Sequence, residues 1–226
     1  MNRVRLACWC GLVVALTALN YATRFTSSSS TTRAGTEVYS WGAFAAGLFF
    51  YALWLGLVLA IARGRCDLLA FRRPRLWRRA AVLAVAAILA IYALEILVSL
   101  VPLPESPSKE QGLTPSHWEP AHAGAFAANV VLFTLVAALV EELSFRGLGQ
   151  SLLYVFGRWP AIVLVGVAFG VAHGLLEGLL VLIPFGLVLA YLRDRTTTVV
   201  PGMIVHALFN GVALAYSVLA AATSLR

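Results

Sequence analysis

The chain has 226 residues, of which 61% are hydrophobic and only 12% charged. Soluble domains carry about 25% charged and about 45–50% apolar residues, so this composition excludes a soluble globular fold and indicates a chain embedded in lipid. A formal charge of +7 would suit a nucleic-acid binder in a soluble protein, but here the arginines stand at the ends of apolar runs, where the positive-inside rule accounts for them, and no nucleic-acid partner is expected.

A bilayer core ~30 Å thick needs ~20 apolar residues for each helical span. The first run, Val4–Leu19, is short and follows Arg3 and Arg5. It has the basic-then-apolar form of a signal peptide, but no small-residue cleavage site follows it, so it reads as an uncleaved first span. Ser27–Thr32 is a Ser/Thr-rich connection. Trp41–Ala62 carries no charge. Arg63, Arg65, Arg72, Arg73, Arg75, Arg78 and Arg79 crowd the next connection, which places it in the cytoplasm. Ala80–Val101 carries only Glu95, and Leu103–Pro120 has four prolines and more acid than base, an outside loop like Ser27–Thr32. Ala121–Val140 is uncharged. Glu141–Gly157 reads as a partly amphipathic helix continuing that span inward. Pro160–Leu192 is too long for one span and is interrupted by Gly174, Gly178 and Pro184. With Arg158 before it and Arg193 and Arg195 after it, it reads as a hairpin of two short helices turning near Gly174–Gly178. Val199–Ala222, with His206 and Asn210, is the last span. The pattern predicts an all-α polytopic transmembrane helical bundle of about seven to eight spans, its amino terminus cytoplasmic and its carboxyl terminus outside. Cys8, Cys10 and Cys66 show neither metal-ligand spacing nor a disulfide framework and read as apolar filler.

Charged groups inside membrane spans are costly and mark function. Those in apolar surroundings are Glu95, Glu141, Glu142, Arg146, His173, Glu177 and His206, joined by the polar Asn210. Glu142 and Arg146, four apart, share a helix face and can pair. Glu141 is turned ~100° away and lacks an in-helix cation. A carboxylate held in apolar surroundings keeps a proton more readily, which suits a general base; a charge cluster at a helix end is the plainer reading. His173 alone would be a packed, hydrogen-bonded core histidine. His206 and Asn210, four apart on one face, could ligate a metal, aim two donors at one oxygen, or join two helices. Three polar clusters on three helices strengthen one another. At 1.5 Å per residue, His206, Glu141 and His173 come ~9, ~13 and ~20 Å into the membrane, which is compatible with one shared site. Glu95 and Glu177 would line an access path or join helices.

The pattern Glu141-Glu142-x-x-x-Arg146, Phe169-x-x-x-His173 and His206-x-x-x-Asn210 resembles the CPBP family, which comprises the type II CAAX prenyl endopeptidases and the bacteriocin-processing and immunity proteins. The resemblance covers about Ala121–Ala222. It divides the chain into variable accessory helices over 1–110 and a protease core over 121–222. It implies an α-bundle, of eight helices or so, with a cavity open to membrane and cytoplasm, and hydrolysis of a peptide bond near the membrane. By the same resemblance Glu141 would activate water, His173 would position or deprotonate it, His206 and Asn210 would stabilise the oxyanion, and Glu142, Arg146 and Phe169 would support them.

The family is often labelled metalloprotease, and a zinc ion could take Glu141, His173 and His206. The helical H-E-x-x-H motif is absent, and a glutamate-activated water with a His/Asn oxyanion hole, without cofactor, is the preferred arrangement. The expected partners are membrane lipid and a hydrophobic or lipid-anchored peptide; prenylated tails are the eukaryotic precedent in the family. Size and short arginine-rich loops suggest a bacterial plasma membrane. Two other functions compete. One is a non-catalytic protein that uses the same polar cavity to bind or regulate a peptide or partner. The other is a small transporter passing protons through Glu and His.

Overall fold

The structure, a computed structural model, describes residues 2–26, 37–101 and 118–223. Among these residues there is no strand; seven helices make up the fold. They are α1 (Asn2–Thr26), α2 (Trp41–Ala62), α3 (Trp77–Ser99), α4 (Pro120–Phe156), α5 (Arg158–Ala172), α6 (Leu179–Thr196) and α7 (Val200–Thr223). Ser27–Thr32 and most of Leu103–Pro120 lie outside the described residues.

Four helices are long and apolar enough to cross a membrane: Arg3–Thr23 of α1, α2, α3 and α4. Arg158–Ala172 is apolar but shorter, Val200–Tyr216 is an apolar stretch of the 24-residue α7, and the last turn of α6 carries Arg193 and Arg195. The seven described helices agree roughly with the expected all-α bundle of about seven to eight spans, four of them long enough by themselves and the rest a hairpin of shorter helices and a last helix. At 15 residues, α5 rises only ~22 Å, which leaves the hairpin turn inside the thickness of a bilayer.

Glycine brings the hairpin arms together. A Cβ at Gly170 would lie 2.9 Å from the Ile183 backbone nitrogen, and one at Gly186 would lie 2.5 Å from the Gly166 carbonyl oxygen. Small residues let helix backbones approach in lipid, where dispersion replaces the hydrophobic effect between helices. The turn itself needs Gly174 at φ +69°, where Asn20 Nδ2 donates to the Ala172 carbonyl at 2.6 Å and satisfies the end of α5.

Central helix α4 is irregular. It contains two π-helical stretches, Leu132–Val136 and Leu143–Gly149. These i→i+5 turns arise as local bulges and concentrate at functional sites. The expectation of an amphipathic Glu141–Gly157 fails in its first two thirds: residues 140–150 are all buried. That stretch is enclosed by α1, α2, α5, α6 and the connection between α2 and α3. Gly157, at φ +102°, ends α4 and starts α5.

The arginine-rich connection is also ordered by contacts. Arg5 donates to the Ile61 and Arg63 carbonyls at 3.0 Å each and so caps α2. Thr198 Oγ1 donates to the Arg72 carbonyl, and Arg72 Nε to the Thr197 carbonyl. The starts of α1, α3 and α7 and the ends of α2 and α6 thus meet on one side, the alternation expected from the arginine distribution.

Candidate active site

Glu141 and Glu142 sit midway along α4, immediately before its second π stretch. The ~100° turn between consecutive helical residues points the two carboxylates to different sides, and each receives its own partners. Glu142 Oε1 accepts from Arg146 Nη1 at 2.8 Å and from His206 Nδ1 at 3.1 Å. Both Glu142 and Arg146 are fully buried. Arg146 also donates to the Gly186 carbonyl at 3.3 Å and lies 4.0 Å from the centre of the Phe169 ring. Charge pairing, a backbone acceptor and a π face together hold the guanidinium away from water. Breaking such a buried pair costs ~3–5 kcal/mol.

Phe169 is the hinge of the arrangement. Its ring contacts His173 at 4.5 Å and His206 at 5.8 Å between ring centres, with Phe145 and Phe185 completing the apolar wall. The Phe169-x-x-x-His173 spacing puts ring and imidazole on one face at the end of α5. His173 Nδ1 faces the Phe169 carbonyl at 2.7 Å; a carbonyl only accepts, so Nδ1 carries the proton. The same logic applies to His206 Nδ1 against the Glu142 carboxylate. In either imidazole, when neutral, the lone pair is then on Nε2.

Those two Nε2 atoms point to Glu141. His173 Nε2 lies 3.7 Å and His206 Nε2 3.8 Å from Glu141 Oε2. These separations exceed a direct hydrogen bond. Among the described residues, buried Oε2 has no hydrogen-bond partner. Its twin Oε1 accepts from the Tyr51 hydroxyl at 3.3 Å. One carboxylate oxygen is therefore anchored, and the other faces Nε2 of both histidines at a distance suited to a bridging water.

Asn210 stands one turn beyond His206 on α7 but does not join this convergence. Its Nδ2 donates to the Phe133 carbonyl at 2.9 Å, in the first π stretch, where Ala137 N–H bonds instead to the Leu132 carbonyl. A second amide N–H remains on Nδ2. Glu95 and Glu177 are half-buried on α3 and in the hairpin turn, and neither has a described contact with Glu141, His173 or His206.

Several contributors carry no mark in the sequence. Tyr51 lies in an uncharged span. Trp54 Nε1 donates to Ser144 Oγ at 3.1 Å and Trp9 Nε1 to the Ser144 carbonyl at 3.0 Å, both in the second π stretch. Below Arg146, Gln150 Nε2 donates to the Ala190 carbonyl and the Tyr154 hydroxyl to Asp194 Oδ1. Positions 142, 146, 150 and 154 thus form a polar ladder along α4. That four-residue repeat is the one sequence signal that could have revealed Gln150 and Tyr154.

The zinc set proposed from sequence, Glu141, His173 and His206, meets around one oxygen, yet among the described residues no group of three His, Cys, Asp or Glu side chains has the arrangement to hold a metal ion.

The long apolar helices indicate an integral membrane protein, and a buried acid–histidine cluster is enclosed among them. Residues 123–212 match the family model described as "Type II CAAX prenyl endopeptidase Rce1-like", and this part of the chain is similar to that family. It contains every residue singled out from the sequence as catalytic or supporting. Comparison with curated proteins and with solved structures gives no match.

Proposed function

We propose that the protein is an intramembrane endopeptidase that hydrolyses a peptide bond in a membrane-proximal or lipid-anchored peptide, using water activated by Glu141. One observation carries the reading: buried Glu141 Oε2, without a hydrogen-bond donor among the described residues, faces Nε2 of both His173 and His206. A water at that point can donate one hydrogen bond to the carboxylate and one to an imidazole. Glu141 takes its proton as the oxygen adds to the peptide carbonyl, and returns that proton to the departing amine. His173, its tautomer set by the Phe169 carbonyl, orients the water. His206, held at Nδ1 by Glu142, donates from Nε2 to the oxyanion in the form that carries a proton on both ring nitrogens, and keeps that proton throughout. Asn210 supplies its free N–H to the same oxygen. The enzyme works in a bacterial plasma membrane with its amino terminus in the cytoplasm, a placement supported by the arginine-rich connection.

Glu141→Gln tests the chemistry. The variant keeps size and most hydrogen bonding but cannot take a proton from water. It should fold, run as a sharp peak in detergent, and lose turnover of a cleaved membrane peptide by ~10²–10⁴-fold. Asn210→Ala should lose ~10²–10³-fold. Strong chelators should leave the wild type active. Full activity in Glu141→Gln would overturn the mechanism and move the weight to a peptide-binding role.

A further inference from the structure

The outer face of the hairpin carries a lateral groove of about 470 Å³ between α3, α5 and α6, within the ~300–1,000 Å³ typical of small-ligand pockets. Leu83, Ala87 and Ala90 of α3 face Ile162 of α5 and Leu187 and Val188 of α6 across it. Its walls are apolar along their length, and the alanines make α3 recede. Its end on the side of the arginine-rich connection is different. There Trp159 and Tyr191 stack at 6.3 Å with an interplanar angle of 13°. Each ring carries a guanidinium: Arg158 lies 4.9 Å from the Trp159 ring centre and Arg195 6.0 Å from that of Tyr191.

Helix periodicity adds a third cation. Arg79 precedes Leu83 by four residues and so extends the α3 stripe by one turn at this end; Arg195 likewise follows Tyr191 by four on α6. Arg79 and Arg195 are exposed, and neither has a described ion-pair partner. Arg158 is paired with Asp194 at 2.7 Å. Three arginines against one aspartate leave a net positive mouth on an apolar slot, at the depth where aromatic rings mark the bilayer interface.

We propose that this groove holds a phospholipid with an anionic head group, one acyl chain lying along α3 and α6 and the phosphate held by Arg79, Arg158 and Arg195. Charge complementarity selects the occupant: an apolar slot alone accepts any acyl chain, whereas basic pockets between helices on the cytoplasmic side select anionic head groups. The inference is independent of the peptidase reading, since the groove contains none of the site residues.

The test uses the full-length protein in detergent and native mass spectrometry with phosphatidylglycerol, phosphatidylethanolamine of the same chains, and inorganic phosphate. The wild type should retain phosphatidylglycerol preferentially. Each arginine near the surface contributes about five-fold, so Arg79→Gln with Arg195→Gln should bring its retention towards that of phosphatidylethanolamine. Both substitutions are on exposed positions. Ala90→Phe, which narrows the slot, should weaken both lipids alike while keeping their ratio. Equal retention of the two lipids by the wild type would overturn the proposal. So would undiminished phosphatidylglycerol binding in the double arginine variant, or complete displacement of the lipid by inorganic phosphate.

Discussion

Glu141 has two oxygens in unlike settings, and the difference gives it a direction. The Tyr51 hydroxyl fixes Oε1, so the side chain cannot rotate freely, and Oε2 stays turned to the histidines. Glu142, its neighbour in sequence, meets Arg146 and His206 through Oε1, while its Oε2 is buried without a hydrogen-bond partner among the described residues. Even the space beside it is taken: a Cβ at Gly202 would lie 2.8 Å from Glu142 Oε2. Tyr51 acts through Glu141 and is a positioning residue. Removing its hydroxyl deletes one long hydrogen bond, and a typical net bond is ~0.5–1.5 kcal/mol, so Tyr51→Phe should lower kcat about three- to ten-fold. KM and the yield of folded protein should be unchanged. A fall in yield matching the fall in activity would mean that the hydroxyl serves packing alone.

At the scale of elements, the site depends on how closely α5 approaches α6, because His173 ends α5. Gly170→Ala would set a methyl 2.9 Å from the Ile183 backbone nitrogen and 2.5 Å from its Cγ1. Overpacking of this kind costs ~1–3 kcal/mol. The melting temperature in detergent should fall and activity with it, whereas Gly56→Ala, which has nothing within 4 Å, should change neither. An unaltered melting temperature in Gly170→Ala would show that the hairpin arms can part without loss. Much at this scale was legible beforehand. Trp41–Ala62 was readable to the residue because an uncharged run between Ser40 and Arg63 has unambiguous ends, and the hairpin because Gly174 and Gly178 interrupt a run flanked by arginines. The motif residues were legible because charge is rare in lipid. The π stretches were not, since an i→i+5 register needs no particular residue and arises from packing. Asn210 shows the result: its spacing from His206 was plain, but the Phe133 carbonyl it meets lies 77 positions away. Tyr51 was hidden for a like reason, a hydroxyl among many aromatic residues whose partner is 90 positions distant.

For the whole molecule, the buried centre and the arginine-rich connection share one polarity. Arg5, Arg63 and Arg72 tie the same ends of the helices together, so orientation of that connection orients every helix. Cysteine labelling in intact cells checks it: an impermeant reagent should modify Ser29→Cys and leave Arg75→Cys untouched until the membrane is opened. The reverse pattern would invert the placement of the whole bundle.

The first helix has its most specific contacts with residues made much later. Trp9 meets Ser144, 135 positions on, and Asn20 meets Ala172, 152 positions on. During synthesis α1 therefore enters the bilayer long before either acceptor has left the ribosome. It must wait there as a lone span, its indole and amide facing lipid or a chaperone. A nascent chain stopped before α4 would leave both groups unmatched, and one stopped before α5 would still lack the acceptor of Asn20.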